Sequence, residues 1–171
     1  ELLDIHKWEP QTGEFKGTEP GRKRYDVEDD SGLVRYSKIA HAVTVAKYLE
    51  GKRVAVSEKI HGANMRFGYV NGEFVVASRR QKKAHDASNV WGKVAKLQNL
   101  KAVADMYPDL TFFGEVFGDV QSMKYGCSAG ELKFVCFDIM ETSGQRYLSQ
   151  YQRIKLCLEA ELSYVSPDTY D

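Results

Sequence analysis

The sequence predicts an α+β domain of antiparallel sheets with flanking helices. Three observations carry that reading. Short β runs flank Asn71-Gly72, and strand–Asn-Gly–strand is the strongest local signal for a tight hairpin. Helical and strand patterns are mixed without regular βαβ alternation, which argues against a doubly wound parallel sheet. No G-x-x-x-x-G-K-[ST] segment is present, so a bound nucleotide would be held by something other than a P-loop.

The elements follow in order. Residues 1–36 read as an N-terminal extension or linker, because Glu14 to Ser31 is rich in Gly, Pro and charge. The domain itself reads as residues 37–171. Ser37 to Leu49 is helix-like, with Ile39, Val43, Ala46 and Tyr48 available for an apolar side. Arg53 to Ile60 alternates as a strand does. Asn64 to Val70 and Glu73 to Ser78 form the predicted hairpin. Residues 88–107 carry Val90, Trp91, Val94, Leu97, Leu100, Val103 and Ala104 in a helical rhythm, and Pro108 stops it. Leu110 to Phe117 and Leu132 to Met140 are strands, and Tyr147 to Leu162 reads as a closing helix.

Composition narrows the class. A chain of 171 residues fits one domain with a real core, and 43% hydrophobic with 28% charged residues excludes a disordered chain. Lys+Arg and Asp+Glu both number 24. With no net charge, a phosphate-binding surface has to come from local clusters. The candidates are Arg22, Lys23 and Arg24, and Arg79, Arg80, Lys82 and Lys83; the competing reading is a solvated face. Cys127, Cys136 and Cys157 fit no zinc or disulfide spacing and read as small core residues. With no membrane-spanning run and no secretory signal, the expected location is cytoplasmic or another reducing compartment.

Chemistry concentrates in Ser57-Glu58-Lys59-Ile60-His61-Gly62-Ala63-Asn64. A lysine ends an apolar strand just before a Gly that permits close backbone approach. An amine attacks only when neutral, so a nucleophilic role needs burial, a neighbouring cation or a metal to lower its pKa. The alternative is a surface lysine beside a turn.

The wider pattern resembles the covalent nucleotidyltransferases, which include DNA ligases, RNA ligases and mRNA capping enzymes. Lys59-Ile60-His61-Gly62 resembles their motif I, and the His form followed by Asn64 looks like the RNA ligase 2 type. Ser78-Arg79 resembles motif Ia, Phe113-Gly114-Glu115-Val116-Phe117-Gly118 resembles motif III, and Phe134-Val135-Cys136-Phe137-Asp138-Ile139 resembles motif IIIa. The matches arrive in the family's order over residues 57–139. Val120 to Gly126 looks like the segment after motif III in some RNA ligases.

The resemblance implies a ligase adenylation-domain fold and an ATP-dependent RNA ligase. Lys59 would form lysyl-AMP, and Glu58 and Ile60 would read the adenine edge, partly through backbone. Asn64 would contact a ribose hydroxyl, and Arg79 the triphosphate or the RNA terminus. Glu115 would contact ribose or, through water, a Mg²⁺ or Mn²⁺ ion. Phe137 would stack on adenine, with Phe134 the competing stacker: three residues apart on a strand, only one of them can line the pocket. His61 is a phosphate contact or a turn stabiliser. The partners implied are RNA ends, a 5′-phosphate and a 3′-hydroxyl, and no membrane. Motif IV, Glu-Gly, and motif V, Lys-x-Lys, do not follow residue 139. The expectation is therefore that part of the active site, and an OB-type or C-terminal domain, lie outside this chain. The rival functions are a DNA ligase or capping-type enzyme and, in a different class, an inactive nucleic-acid-binding domain.

Overall fold

A computed structural model describes residues 29–143 and 146–168. Its centre is a five-stranded antiparallel sheet, built from β2 (Ala63–Val70), β3 (Glu73–Ala77), β4 (Lys82–Lys83), β5 (Leu110–Gly118) and β6 (Leu132–Glu141), in the order β4-β3-β2-β5-β6. β1 (Val56–Ser57) pairs instead with β7 (Pro167–Asp168) in a separate two-stranded sheet. The helices are α1 (Ala42–Leu49), α2 (Val90–Leu97), α3 (Leu100–Met106) and α4 (Gln150–Glu159).

The β2–β3 hairpin turns at Asn71 (φ 50°) and Gly72 (φ 81°), the pair of positive φ values a tight two-residue turn requires. It fixes the register Val70↔Glu73 through Arg66↔Ala77. Alternation then sends Met65, Phe67, Phe112, Val116, Phe134, Cys136 and Ile139 into one core with Val94, Leu100 and Val103 of α2 and α3. Phe67 lies flat on Phe112, with centroids 4.8 Å apart, and Phe134 meets Phe67 edge-on at 5.5 Å.

The sequence predicts one helix over 88–107, but two form. Asn99, at φ 48°, turns left-handed between α2 and α3, a conformation Asn tolerates better than most residues. The α2 start is fixed by Asn89, whose side chain accepts from the Gly92 N–H. The first helix begins at Ala42 rather than Ser37, because the Tyr147 hydroxyl accepts from the Ser37 N–H at 2.9 Å and holds that stretch extended. α1 buries none of its residues. The closing helix is trimmed to Gln150–Glu159 by a capping box of Ser149 and Gln152. Of the strand predicted over 53–60, only Val56–Ser57 is paired.

The opposite face of the sheet carries residues 29–37 as a strap. Arg66, 1% exposed, donates through Nη1 to the Leu33 and Val34 carbonyls at 3.0 and 2.9 Å and through Nε to the Ser78 carbonyl at 3.2 Å. Its Nη2 donates to Ser31 Oγ at 2.9 Å and to Asp29. Burial raises the Asp29 carboxyl, but Arg66, Ser31 and Arg35 outweigh it and hold the group well below the usual carboxylate range. The cluster Arg22, Lys23 and Arg24 lies outside the described residues. Among the described residues no helix is long and apolar enough to cross a membrane.

Candidate active site

The lysine turn is bolted to the sheet by a glycine contact. Gly62 sits so close to β5 that a Cβ there would fall 2.1 Å from the Val116 carbonyl oxygen. Only glycine permits that approach. The Gly62 N–H donates to the Glu115 carboxylate, and the Lys59 ammonium is that carboxylate's charged neighbour. Burial raises the Glu115 carboxyl above its usual value, while Lys59 and the Gly62 N–H pull it back down. The loop after β5 clasps the same turn: Tyr125 Oη accepts from the His61 N–H at 2.6 Å, and Gln121 Nε2 donates to the Gly62 carbonyl at 3.4 Å. His61 is exposed and held by its backbone.

Register assembles the next residues. Asn64 lies directly across from Glu115, and Glu115 lies across from Val135. The Asn64 carbonyl accepts from Trp91 Nε1 at 2.9 Å, which ties the start of β2 to α2. Arg79 is exposed in the turn closed by the Ser78 N–H to Gln81 carbonyl bond. That turn follows β3 at the same end of the sheet, because Ala77 pairs with Arg66 two residues past Asn64. Glu58 is exposed and Ile60 half-buried.

Phe137 owes its position to a bulge. The β5–β6 register shifts between Phe113/Gly114, leaving Phe137 as the extra residue between the pairs Phe113↔Asp138 and Gly114↔Cys136. Gly114 is required there: a Cβ would meet the Phe134 ring at 2.2 Å and the Val135 carbonyl oxygen at 2.3 Å. Phe134 is 0% exposed in the core. Phe137 lines a cavity of about 290 Å³ with Ala55, Ser57, Asp138, Arg153 and Pro167. Ser57, two residues before Lys59, lines this cavity, whereas Lys59, Asn64, Arg79 and Glu115 are not among its lining residues.

The sequence reading did not single out the groups that fix this wall. Tyr36 donates to Asp138 Oδ2 at 3.0 Å. Its ring packs against Phe113, Phe137 and Tyr147 at 5.2, 5.3 and 5.5 Å. Burial and the adjacent Asp138 push the Tyr36 phenol well above its ordinary value. Burial likewise raises the Asp138 carboxyl against the lowering pull of Tyr36 and the Ile139 N–H. Asp138 adjoins Phe137 in the quoted string and was open to notice; a lone Tyr in an irregular stretch gave no signal.

Among the described residues no group of three or more His, Cys, Asp or Glu forms a metal cage. Glu115 beside Lys59 offers one carboxylate, which suits a hard divalent ion that keeps several of its waters.

Comparison with known proteins agrees with this architecture. The chain is similar to a Naegleria gruberi RNA ligase solved with PPi, at TM-score 0.72 and 18% identity over 98% of this chain and 50% of that one. A mutant of that ligase solved with ATP and Mn matches at TM-score 0.72 and 17% identity, over 98% of this chain and 51% of the other. These likenesses show an α+β fold with antiparallel sheets, that of RNA ligase adenylation domains. An uncharacterised protein of Methanocaldococcus jannaschii is 29% identical over 164 residues, which is 90% of this chain and 40% of the relative. The chain thus spans about half, or less, of the proteins it resembles. The RNA ligase family model matches residues 52–167, from the strand before Lys59 to the start of β7, and this chain belongs to the RNA ligase family.

Proposed function

We propose that the protein works as an ATP-dependent RNA ligase that seals a 3′-hydroxyl to a 5′-phosphate through AMP carried on Lys59. One observation carries this reading: the Gly62 contact holds the Lys59 turn against Glu115, and Ser57, two residues before that lysine, lines a cavity walled by Phe137. The relatives solved with ATP, AMP and Mn support ATP and a divalent ion as its cofactors.

In the first step the neutral Lys59 Nζ attacks the α-phosphorus of ATP. A phosphorus–nitrogen bond forms, the bond to the pyrophosphate oxygen breaks, and pyrophosphate leaves. The phosphoramidate remains an active AMP donor. A 5′-phosphate oxygen of RNA then attacks the same phosphorus and frees Lys59. Finally a 3′-hydroxyl attacks the activated 5′-phosphate, a phosphodiester forms and AMP departs. Phe137 supplies a stacking face for adenine, Glu58 and Ile60 the backbone beside its edge, and Asn64 a donor and acceptor for ribose. Arg79 offers a guanidinium fork for phosphate. Glu115 would hold Mg²⁺ or Mn²⁺ through water, and such an ion neutralises phosphate charge and favours the unprotonated amine.

Labelling with α-phosphate-tagged ATP against GTP, followed by sealing of nicked RNA against nicked DNA, separates the rivals. The account expects ATP and RNA. GTP labelling would instead indicate a capping-type enzyme, and DNA sealing a DNA ligase. A second reading is binding of nucleic acid without transfer. Nucleotide-independent RNA binding with no label would establish that reading.

A further inference from the structure

The cavity beside Phe137 ends on a buried cation. Arg153 of α4 is 7% exposed. Its Nη2 donates to the Val165 carbonyl at 3.1 Å and its Nη1 to the Cys136 carbonyl at 3.4 Å. Among the described residues it forms no ion pair within 4.0 Å, in contrast to Arg66, whose partner is Asp29. A guanidinium has five N–H donors in a fixed fork. Two bonds to carbonyls leave donors over, and Arg153 is one of the residues that line the cavity. Asp138 also lines it, and its Oδ1 and Oδ2 are oriented by the Ile139 N–H and the Tyr36 hydroxyl.

Size selects what enters. Ligand pockets run from about 300 to 1,000 Å³, and a cavity of about 290 Å³, at the lower end of that range, has room for a planar base against Phe137. A base stacked on Phe137 would present its edge to a donor, Arg153, and an acceptor, Asp138. Adenine presents an amino donor next to a ring-nitrogen acceptor, the complementary pattern. A buried donor facing a hydrogen-bonding edge discriminates strongly, because an analogue lacking the acceptor leaves an Arg153 N–H without its partner, while Asp138 still balances the charge.

Resting on the nucleotide reading above, we propose that Arg153 is a specificity-determining residue, donating to a ring nitrogen of adenine while Asp138 accepts from its exocyclic amine. Neither residue belongs to the Lys59 turn or to the stacking ring. The arrangement adds side-chain recognition at the cavity end to the backbone contacts of Glu58 and Ile60.

The test is calorimetric binding of ATP and of its 1-deaza and 7-deaza analogues to the full chain, wild type, Arg153→Met and Arg153→Lys. The wild type is expected to bind one of the two analogues about 10- to 100-fold more weakly than ATP. Arg153→Met is expected to weaken ATP by a similar factor and to leave that analogue's affinity unchanged. A purely structural Arg153 would lower all three affinities alike, and that result overturns the proposal. So does a wild type that binds both analogues as well as ATP, an outcome that needs no variant to fold. A wild type that binds no nucleotide removes the underlying reading, whereas intact ATP binding with equal affinity for the analogues removes only the role of Arg153.

Discussion

On one face of the five-stranded sheet Phe67 lies flat on Phe112, Phe134 meets Phe67 edge-on, and α2 and α3 seal them from water. On the other face Arg66, buried as deeply, spends its donors on backbone carbonyls, Ser31 and Asp29. Asn64, Glu115 and Asp138 sit on that same side with Tyr36 and Phe137. The first face is held by apolar contact and tolerates change in proportion to volume. The second is held by directional bonds around charges, so single deletions there leave a charge or donor stranded. Strands alternating with period two serve both, packing one way and offering chemistry the other.

The largest stability effect should come from Arg66→Met. It strands the buried Asp29 carboxylate and unties the strap, and a loss of about 3–5 kcal/mol is expected by urea titration. A variant within 1 kcal/mol of wild type, about the worth of a surface pair, would mean that the outer face is held by packing after all.

Phe134 and Phe137 sharpen the contrast within one strand. Phe134→Ala should cost about 3–5 kcal/mol of stability. Phe137→Ala should cost far less stability and weaken ATP binding by about 1–3 kcal/mol. Exchange of these two outcomes would place the stacking ring on the other face. Gly62→Ala, which would force a Cβ toward the Val116 carbonyl, should destabilise the fold by about 1–3 kcal/mol. It should slow AMP transfer by about 100-fold, because it displaces the lysine turn. A rate loss no larger than the stability loss explains would deny that turn its positioning role.

The last test separates two carboxylates by sign. The Asp29 value is depressed in the folded protein, so its stabilisation is present above the unfolded value of about 4 and fades as pH falls toward the folded one. The Glu115 value is raised, so the native state holds the extra proton and stability falls as pH climbs through that window. Melting curves between about pH 3 and 7 should therefore show Asp29→Asn losing most at neutral pH. Glu115→Gln should match or exceed wild type there and lose its advantage in acid. Parallel profiles would refute the assignment.

The apolar face was legible in the sequence because alternation and the Asn71-Gly72 turn fix strand register locally. The motif strings drew attention to Lys59, Glu115 and Phe137, and two of their glycines, Gly62 and Gly114, sit where an added Cβ would fall 2.1 and 2.3 Å from a backbone carbonyl oxygen. Less legible were groups whose role depends on distant pairing. Tyr36 reaches Asp138 across 102 positions, and Arg153 reaches the cavity only because α4 folds back under β6. The break at Asn99 was missed because the apolar rhythm runs through it unbroken while the backbone turns left-handed.

The central claim is that Lys59 is the nucleophile. Intact mass of the purified protein after incubation with ATP and Mn²⁺, beside Lys59→Ala, tests it directly. The account predicts a gain of one AMP in the wild type, reversed by pyrophosphate, and none in Lys59→Ala. A gain retained in Lys59→Ala, or no gain in a wild type that binds ATP and carries motifs IV and V, would contradict it.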